Sequence, residues 1–295
     1  MLGVKVNHIK IVSKLKGGLG NQLFQFAYGY ARALQLGIAL ELELSYFDHD
    51  ARHGGYTLGL FKLNNKVKLT RIGFLLNLFL KFDERITGKI GFLWRSIDER
   101  YGPNDHYVEL GNTIYLNGFW QNPRLINEYS EQIKKAIKLK VHENSIQFLQ
   151  IKDDISRGQS VGVHFRRGDY ISDKGAASVH GVIGKSYYGK AVSEISSVVT
   201  EPKFFIFSDD IDLAKKELSF IENGVFVSTI FDSDATDMYL MSLCKHNIIA
   251  NSTYSWWSAW LNENDGKIIV APKRWYANDE MNQQCYIIPP EWVTV

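Results

Sequence analysis

Residues 161–170 read VGVHFRRGDY, an apolar run that ends in an imidazole, two guanidiniums, a glycine and a carboxylate. A guanidinium is planar and permanently charged, so at a strand end it grips two phosphate oxygens at once, while a neighbouring imidazole reaches a sugar or a base. Side chains alternate along a strand, which puts His164 and Arg166 on one face and Arg167 on the other. Arg166 is therefore the first candidate for an anionic ligand and Arg167 the second. A single arginine here reads most simply as a salt-bridge partner of Asp169 or a neighbour; a His-x-Arg-Arg-Gly-Asp cluster where a strand gives out is a sharper signal of binding.

Two further clusters have ligand chemistry. In ANSTYSWWSAWL, residues 250–261, Asn251, Ser252, Thr253 and Ser255 stand where an apolar strand gives way to a helix. These residue types cap helices, and a helix start offers backbone N–H groups and the positive end of its dipole to an anion. Capping accounts for one of them; four within five positions favour phosphate binding. Trp256, Trp257 and Trp260 could stack on sugars, but their helical spacing reads better as packing. KGGLGNQ, residues 16–22, is a glycine loop without the lysine and hydroxyl of a Walker motif. As a dinucleotide fingerprint it is incomplete: Leu23 stands where a small residue is wanted, although Glu41 or Glu43 could act as the ribose carboxylate. Two Asp-x-Asp triplets, at 48–50 and 232–234, could hold a hard cation between diphosphate oxygens. A metal-dependent route through Asp232 and Asp234 ranks second, because arginines and helix amides already neutralise a diphosphate.

Elements that could position these residues follow from the apolar periodicity. Strands are expected at HIKIVSKL, IALELEL and IYLNGFW, with a helix between the first two and another over 129–139. The stretch 143–160 turns polar and is expected to be the domain joint, giving domains 1–150 and 151–295. Beyond it strands and helices alternate strictly, the pattern of a doubly wound parallel sheet whose ligands bind outside the carboxyl ends of its strands. A chain of 295 residues suits two domains. With 45% hydrophobic and 22% charged residues it is a folded protein, and a net charge of +2 excludes a nucleic-acid coat. Cys244 and Cys285 are too few for a disulfide framework and lack metal-ligand spacing, as expected of a reduced compartment. Neither a signal peptide nor a membrane anchor is evident. The apolar run 73–80 is too short to span a bilayer, but basic residues across 62–95 outnumber acidic ones, so this segment could lie on an anionic membrane surface; a core helix with solvated lysines is the plainer reading.

Taken in order, GGLGNQLFQFAYGYARAL, VGVHFRRGDY, FSDD and IIANSTYSWWSAWL resemble the motif set of the bacterial α1,2-fucosyltransferases, glycosyltransferase family 11, from about residue 14 to the C-terminus. HGV at 180–182, Tyr187, Tyr188 and Asp237 also match, whereas 62–112 carries little of the pattern. The resemblance implies a GT-B-like α/β fold: two Rossmann-like doubly wound domains with a cleft between them, the N-terminal one on the acceptor side and the C-terminal one binding GDP-fucose. It implies inverting transfer from GDP-β-L-fucose to the 2-hydroxyl of a β-linked galactose, lactose-like or lipid-linked, in cytoplasmic synthesis of O-antigen or capsule. No cofactor, metal or nucleic acid is implied; a peripheral contact with the inner membrane rests only on the basic segment 62–95.

By position, Arg166 would act on the donor diphosphate. Asp209 and Asp210 would accept from guanine or ribose, unless one of them caps the helix at Ile211. His164, Arg167, Asn251, Ser252, Thr253, Ser255, Gly18, Gly20 and Asn21 complete the expected donor set. Asp169 is the candidate general base, with His180 as the alternative. A non-catalytic nucleotide-sugar-binding protein and an NAD-dependent oxidoreductase using Gly17–Gly20 remain as readings of other classes.

Overall fold

A computed structural model describes residues 9–49, 54–71, 95–96, 105–140, 145–167, 181–228 and 234–295. The chain divides into two units, Met1–Lys138 and Leu139–Val295.

In the first unit, β1 (Lys10–Lys14) leads through the glycine loop into α1 (Leu19–Leu36) and back to β2 (Ala39–Glu43). Helix α1 buries Leu23, Phe24, Phe26, Ala27 and Ala31 at helical spacing and stops at Gly37, whose φ of 67° turns its N–H back onto the Ala33 and Leu34 carbonyls. A glycine inside a helix costs stability, and Gly29 has a packing reason: a Cβ there would lie 3.1 Å from Ser13 Cβ and 3.0 Å from Leu40 Cδ1. The helix thus lies directly on β1 and β2. There follow β3 (Phe61–Leu63), β4 (Val67–Thr70), β5 (Arg95–Ser96), β6 (His106–Leu110), β7 (Thr113–Asn117), α2 (Pro123–Glu128), α3 (Ser130–Ala136) and β8 (Ile137–Leu139). The sheet order is β4-β2-β1-β7-β6-β5; β1 pairs in parallel with β2 and β7, while β6 runs antiparallel to β7. The strand order therefore reverses between β1 and β7.

The second unit contains α4 (Ile146–Arg157), β9 (Gln159–Phe165), α5 (Lys185–Val198), β10 (Pro202–Ser208), α6 (Ile211–Glu217), β11 (Val225–Phe226), α7 (Asp234–Leu243), β12 (His246–Ile248), α8 (Thr253–Trp260), β13 (Ile269–Ala271), α9 (Asp279–Gln283) and β14 (Val293–Thr294). Its sheet is parallel in every pair, in the order β11-β10-β9-β12-β13-β14. This is the doubly wound order, with its reversal between β9 and β12. Strand β9 is buried on both faces except at Gln159, and Gly162 lets α7 approach it, since a Cβ there would meet Met241 Cγ at 3.1 Å.

Two sequence expectations change. The helix expected over 129–139 ends at Ala136, and Ile137–Leu139 continues as a strand that pairs with β3. The polar stretch expected to be the joint is largely α4, capped by Ser145 and burying Phe148, Ile151 and Ile155; the division between units falls earlier, at Lys138. Among the described residues no helix is long and apolar enough to cross a membrane, and the run 73–80 lies outside them.

Candidate functional site

The carboxyl ends of β9, β10 and β12 gather nine of the expected site residues in the second unit. Arg166, just past β9, places its Nε 3.1 Å from Asp209 Oδ2, both side chains about three-quarters buried at 25% and 23% exposure. The other oxygen, Asp209 Oδ1, accepts the Arg167 backbone N–H at 2.9 Å. Asp209 thus holds both halves of the arginine pair, instead of serving only as an acceptor for a nucleotide. Asp210 is the N-cap of α6: its Oδ1 accepts the Leu213 N–H at 3.1 Å. Arg167 is buried, with its guanidinium 4.4 Å from the centre of the Phe165 ring and an N–H on the Arg166 carbonyl. It turns into the protein beside Phe165, the residue that shares its face by strand alternation.

His164 is 3% exposed, tilted against the Tyr254 ring at 5.3 Å, and its Nδ1 has no hydrogen-bond partner among the described residues. Burial, with the Arg166 charge next in size, pushes its pKa down to about 3, so the imidazole is neutral and offers a hydrogen bond, not a charge. Helix α5 fixes the strand ends: the Tyr188 hydroxyl donates to the His164 carbonyl at 3.0 Å and the Tyr187 hydroxyl to the Ile249 carbonyl at 2.6 Å. Helix α8 starts at the same sheet edge, and its N-cap Ser252 makes no side-chain capping bond. Thr253 opens the helix. Asn251 donates to the Trp275 carbonyl at 3.1 Å, and Ser255 turns its hydroxyl inward to the Ala250 and Ser252 carbonyls. These two hold the turn at the start of α8. Trp256, Trp257 and Trp260 are buried, in the packing role that their spacing predicts.

Asp237, matched to the family pattern in sequence but not chosen as a site residue, belongs to this region. Its Oδ2 accepts from the Ser228 hydroxyl, which in turn accepts the Ser208 N–H, while Oδ1 is buried with no hydrogen-bond partner among the described residues. Burial pushes the carboxyl up to about 7. The sequence signal for it was weak, an acid in the first turn of a helix, where acids are favoured anyway.

Gly18, Gly20 and Asn21 lie apart from this cluster in chain position, in the first unit: Gly18 caps α1, Gly20 is in its first turn, and Asn21 accepts from the Gln121 amide at 2.9 Å. Asp169, His180, Asp50 and Asp232 lie outside the described residues. Asp234 is exposed in the first turn of α7, and among the described residues no three His, Cys, Asp or Glu side chains cluster to hold a metal.

A parallel sheet with an arginine, a neutral imidazole and a helix start at its switch point defines a protein of the doubly wound α/β class, with groups that suit an anionic ligand at its strand ends. The chain belongs to glycosyl transferase family 11, whose profile matches residues 14–295. It is 33% identical to an α1,2-colitosyltransferase of Escherichia coli, over 97% of this chain and 98% of that protein. It is 31% identical to the O-antigen biosynthesis glycosyltransferase WbnK of Escherichia coli, over 96% and 99%. In fold it is similar to the fucosyltransferase NodZ from Bradyrhizobium, with a TM-score of 0.53 at 16% identity over 85% of this chain and 92% of that one. The expected GT-B-like class of two Rossmann-like units is thereby shown, and the protein is a glycosyltransferase.

Proposed function

We propose that this glycosyltransferase moves L-fucose from GDP-β-L-fucose to the 2-hydroxyl of a β-linked galactose, with inversion, in bacterial surface-glycan synthesis. The observation that carries the reading is Arg166, locked by Asp209 at the switch point beside the start of α8. In the transfer the acceptor oxygen bonds to the anomeric carbon, the bond from that carbon to the diphosphate breaks, and GDP leaves with the electron pair. Arg166 and the α8 amides meet the charge that develops on the leaving phosphate, which is where a preorganised cation lowers the barrier most. His164 and Asp237 supply a neutral nitrogen and a carboxyl oxygen for the polar edge of the base or ribose. Asp169 takes the acceptor proton, with His180 as the alternative base. The chain works at the cytoplasmic face of the inner membrane, where a lipid-linked acceptor would be met.

The names of the two Escherichia coli relatives support an α1,2 linkage and an O-antigen setting, and one of them favours a second reading of the donor. Colitose is fucose without its 3-hydroxyl, so the same GDP site and the same chemistry serve either sugar. Incubation with GDP-fucose and with its 3-deoxy analogue, across a panel of β-galactosides and followed by NMR of the product linkage, decides both points. An α1,2-fucosylated galactoside is expected. Faster transfer from the 3-deoxy donor would assign the colitose reading, and no transfer from either donor to any galactoside would overturn the proposal.

A further inference from the structure

The sheet of the second unit also carries polar groups at its other end. Where β9, β12 and β13 begin, on the side away from Arg166, lies a cavity of about 480 Å³, within the size range of small-molecule sites. Gln159 opens β9, Lys245 and His246 lead into β12, Ile268 leads into β13, and Val198 and Val199 line the cavity where α5 ends. The length of β9 sets this cavity roughly 20 Å from the arginine pair.

His246 is the buried polar group of this lining, at 7% exposure, and the transfer reaction makes no use of it. Its Nδ1 accepts the Ile268 N–H at 3.1 Å, which fixes the tautomer: Nε2 carries the proton, and it has no partner among the described residues. Burial, with the Lys245 charge next in size, lowers its pKa, so the ring is a neutral N–H donor. Around it the side chains of Gln159, Lys245 and Asp265 likewise make no hydrogen bond or ion pair among the described residues. Asn264 differs, since its amide is spent on the Leu243 and Cys244 carbonyls at the end of α7.

The charge balance selects the ligand. Helices α5 and α7 both end on this side, so the negative ends of two helix dipoles and the exposed Asp265 carboxylate offset the single Lys245 ammonium. An anion gains little here, in contrast to the arginine end. What the cavity offers is an uncharged N–H donor, a carboxamide that donates and accepts, a carboxylate that accepts, and an apolar wall of Val198, Val199 and Ile268. Ring hydroxyls, which donate and accept at once beside apolar C–H faces, match that set. We propose that the cavity at the amino ends of β9, β12 and β13 is a second saccharide site, which holds a neutral sugar unit of the glycan away from the reaction centre. The inference rests on the transferase reading above. Without a phenyl or indole ring among its lining residues the site is weak, with a Kd of about 1 mM, and it acts by raising the effective concentration of a glycan bound at both places.

The test titrates the full chain, carrying isotope-labelled histidine and saturated with GDP, with methyl β-galactoside, methyl β-glucoside and methyl β-N-acetylglucosaminide in turn. The His246 ring signal, identified by its shift in Lys245→Gln, is expected to move saturably with at least one glycoside and to stay in place with inorganic phosphate. Gln159→Ala combined with Asp265→Ala changes two exposed side chains, and thermal unfolding checks the fold. The pair should weaken the titration about tenfold, the loss of roughly one hydrogen bond, while kcat, GDP affinity and the KM of a disaccharide acceptor stay within about twofold. If the pair does not fold, Gln159→Ala decides alone. A His246 signal that no glycoside moves overturns the inference, as does one moved by phosphate alone. A shift that the folded variant leaves at full strength also overturns it, because the sugar would then be acting from elsewhere. Failure of the underlying reading is distinct: a wild type that transfers to no galactoside sinks that reading, while the His246 titration still reports whether sugar binds here.

Discussion

Asp209 commits one oxygen to Arg166 Nε and the other to the Arg167 backbone, so removing its charge weakens the ion pair that orients the Arg166 guanidinium, the group proposed to meet the leaving phosphate. Asp209→Asn is expected to weaken GDP binding and kcat/KM together, while Arg166→Ala, which removes the charge that meets the leaving group, should lower kcat by about a hundredfold, roughly 3 kcal/mol. Titration of GDP and steady-state kinetics on both variants check this; wild-type rates for Arg166→Ala would remove the centre of the mechanism. Asp237 makes a different prediction. Its pKa rises from 3.8 to about 7 on folding, so the folded state binds the proton more tightly, and stability present at low pH is lost as pH rises through 7. His164 has the opposite sign: its value falls from 6.5 to about 3, so its contribution is present above 6.5 and lost as pH falls. Asp237→Asn removes only the first dependence. It should stabilise the protein at pH 8 by on the order of 2 kcal/mol, with a smaller gain at pH 5, as read by denaturant unfolding; an equal gain at both pH values would show that the carboxyl is not titrating.

At the scale of elements, much was legible because the pattern was local. Strand β9, helix α5 and helix α8 each announce themselves by apolar period, and strand alternation alone singles out Arg166. What the sequence could not show was how polar residues are used once buried. Gln22 and Gln25 read as ordinary helix residues, yet Gln22 accepts from Thr57 and Leu58 and donates to the Gly17 and Gly55 carbonyls, while Gln25 joins β1 to β7. Their partners lie up to 93 positions away, beyond any window of periodicity. Likewise α4 reads as a joint in the sequence because its polar face outweighs its three buried apolar residues, and only its packing in the second unit makes it an element of that core. Strand β4 also speaks to the membrane expectation. It ends the sheet with Lys66, Lys68 and Arg71 exposed and Leu69 52% exposed among them. Lysines protect edge strands from other chains, but at an anionic bilayer each is also worth about 1 kcal/mol. Lys66→Gln with Lys68→Gln should weaken cosedimentation with phosphatidylglycerol vesicles by roughly fivefold per charge without changing catalysis in solution. Equal cosedimentation of the variant, or none by the wild type, would leave edge protection as their role.

At the scale of the molecule, two α/β units of one architecture have come to hold different chemistry at the same topological place. Both reverse strand order beside their first strand, and the polar residues that leave that strand differ: Lys16 with carboxamides in one, an arginine pair in the other. The division also determines how ligand binding should appear in the dynamics of the chain. A ligand that binds only the folded form stabilises the elements it touches, by about 2.7 kcal/mol at a hundredfold excess over Kd, and amide exchange reports that gain locally when units open separately. GDP should therefore slow exchange in peptides covering the ends of β9 and β12 and the start of α8, and leave those covering the glycine loop and 117–122 near their free rates. Because Tyr187 and Tyr188 bond to the carbonyls of Ile249 and His164, protection by GDP should extend into α5. Hydrogen-exchange mass spectrometry of the full chain with and without GDP reads all of this at once. GDP protection confined to the glycine loop would overturn the donor reading of the second unit, and protection of α5 without β9 would break the link between the tyrosine pair and the strand ends.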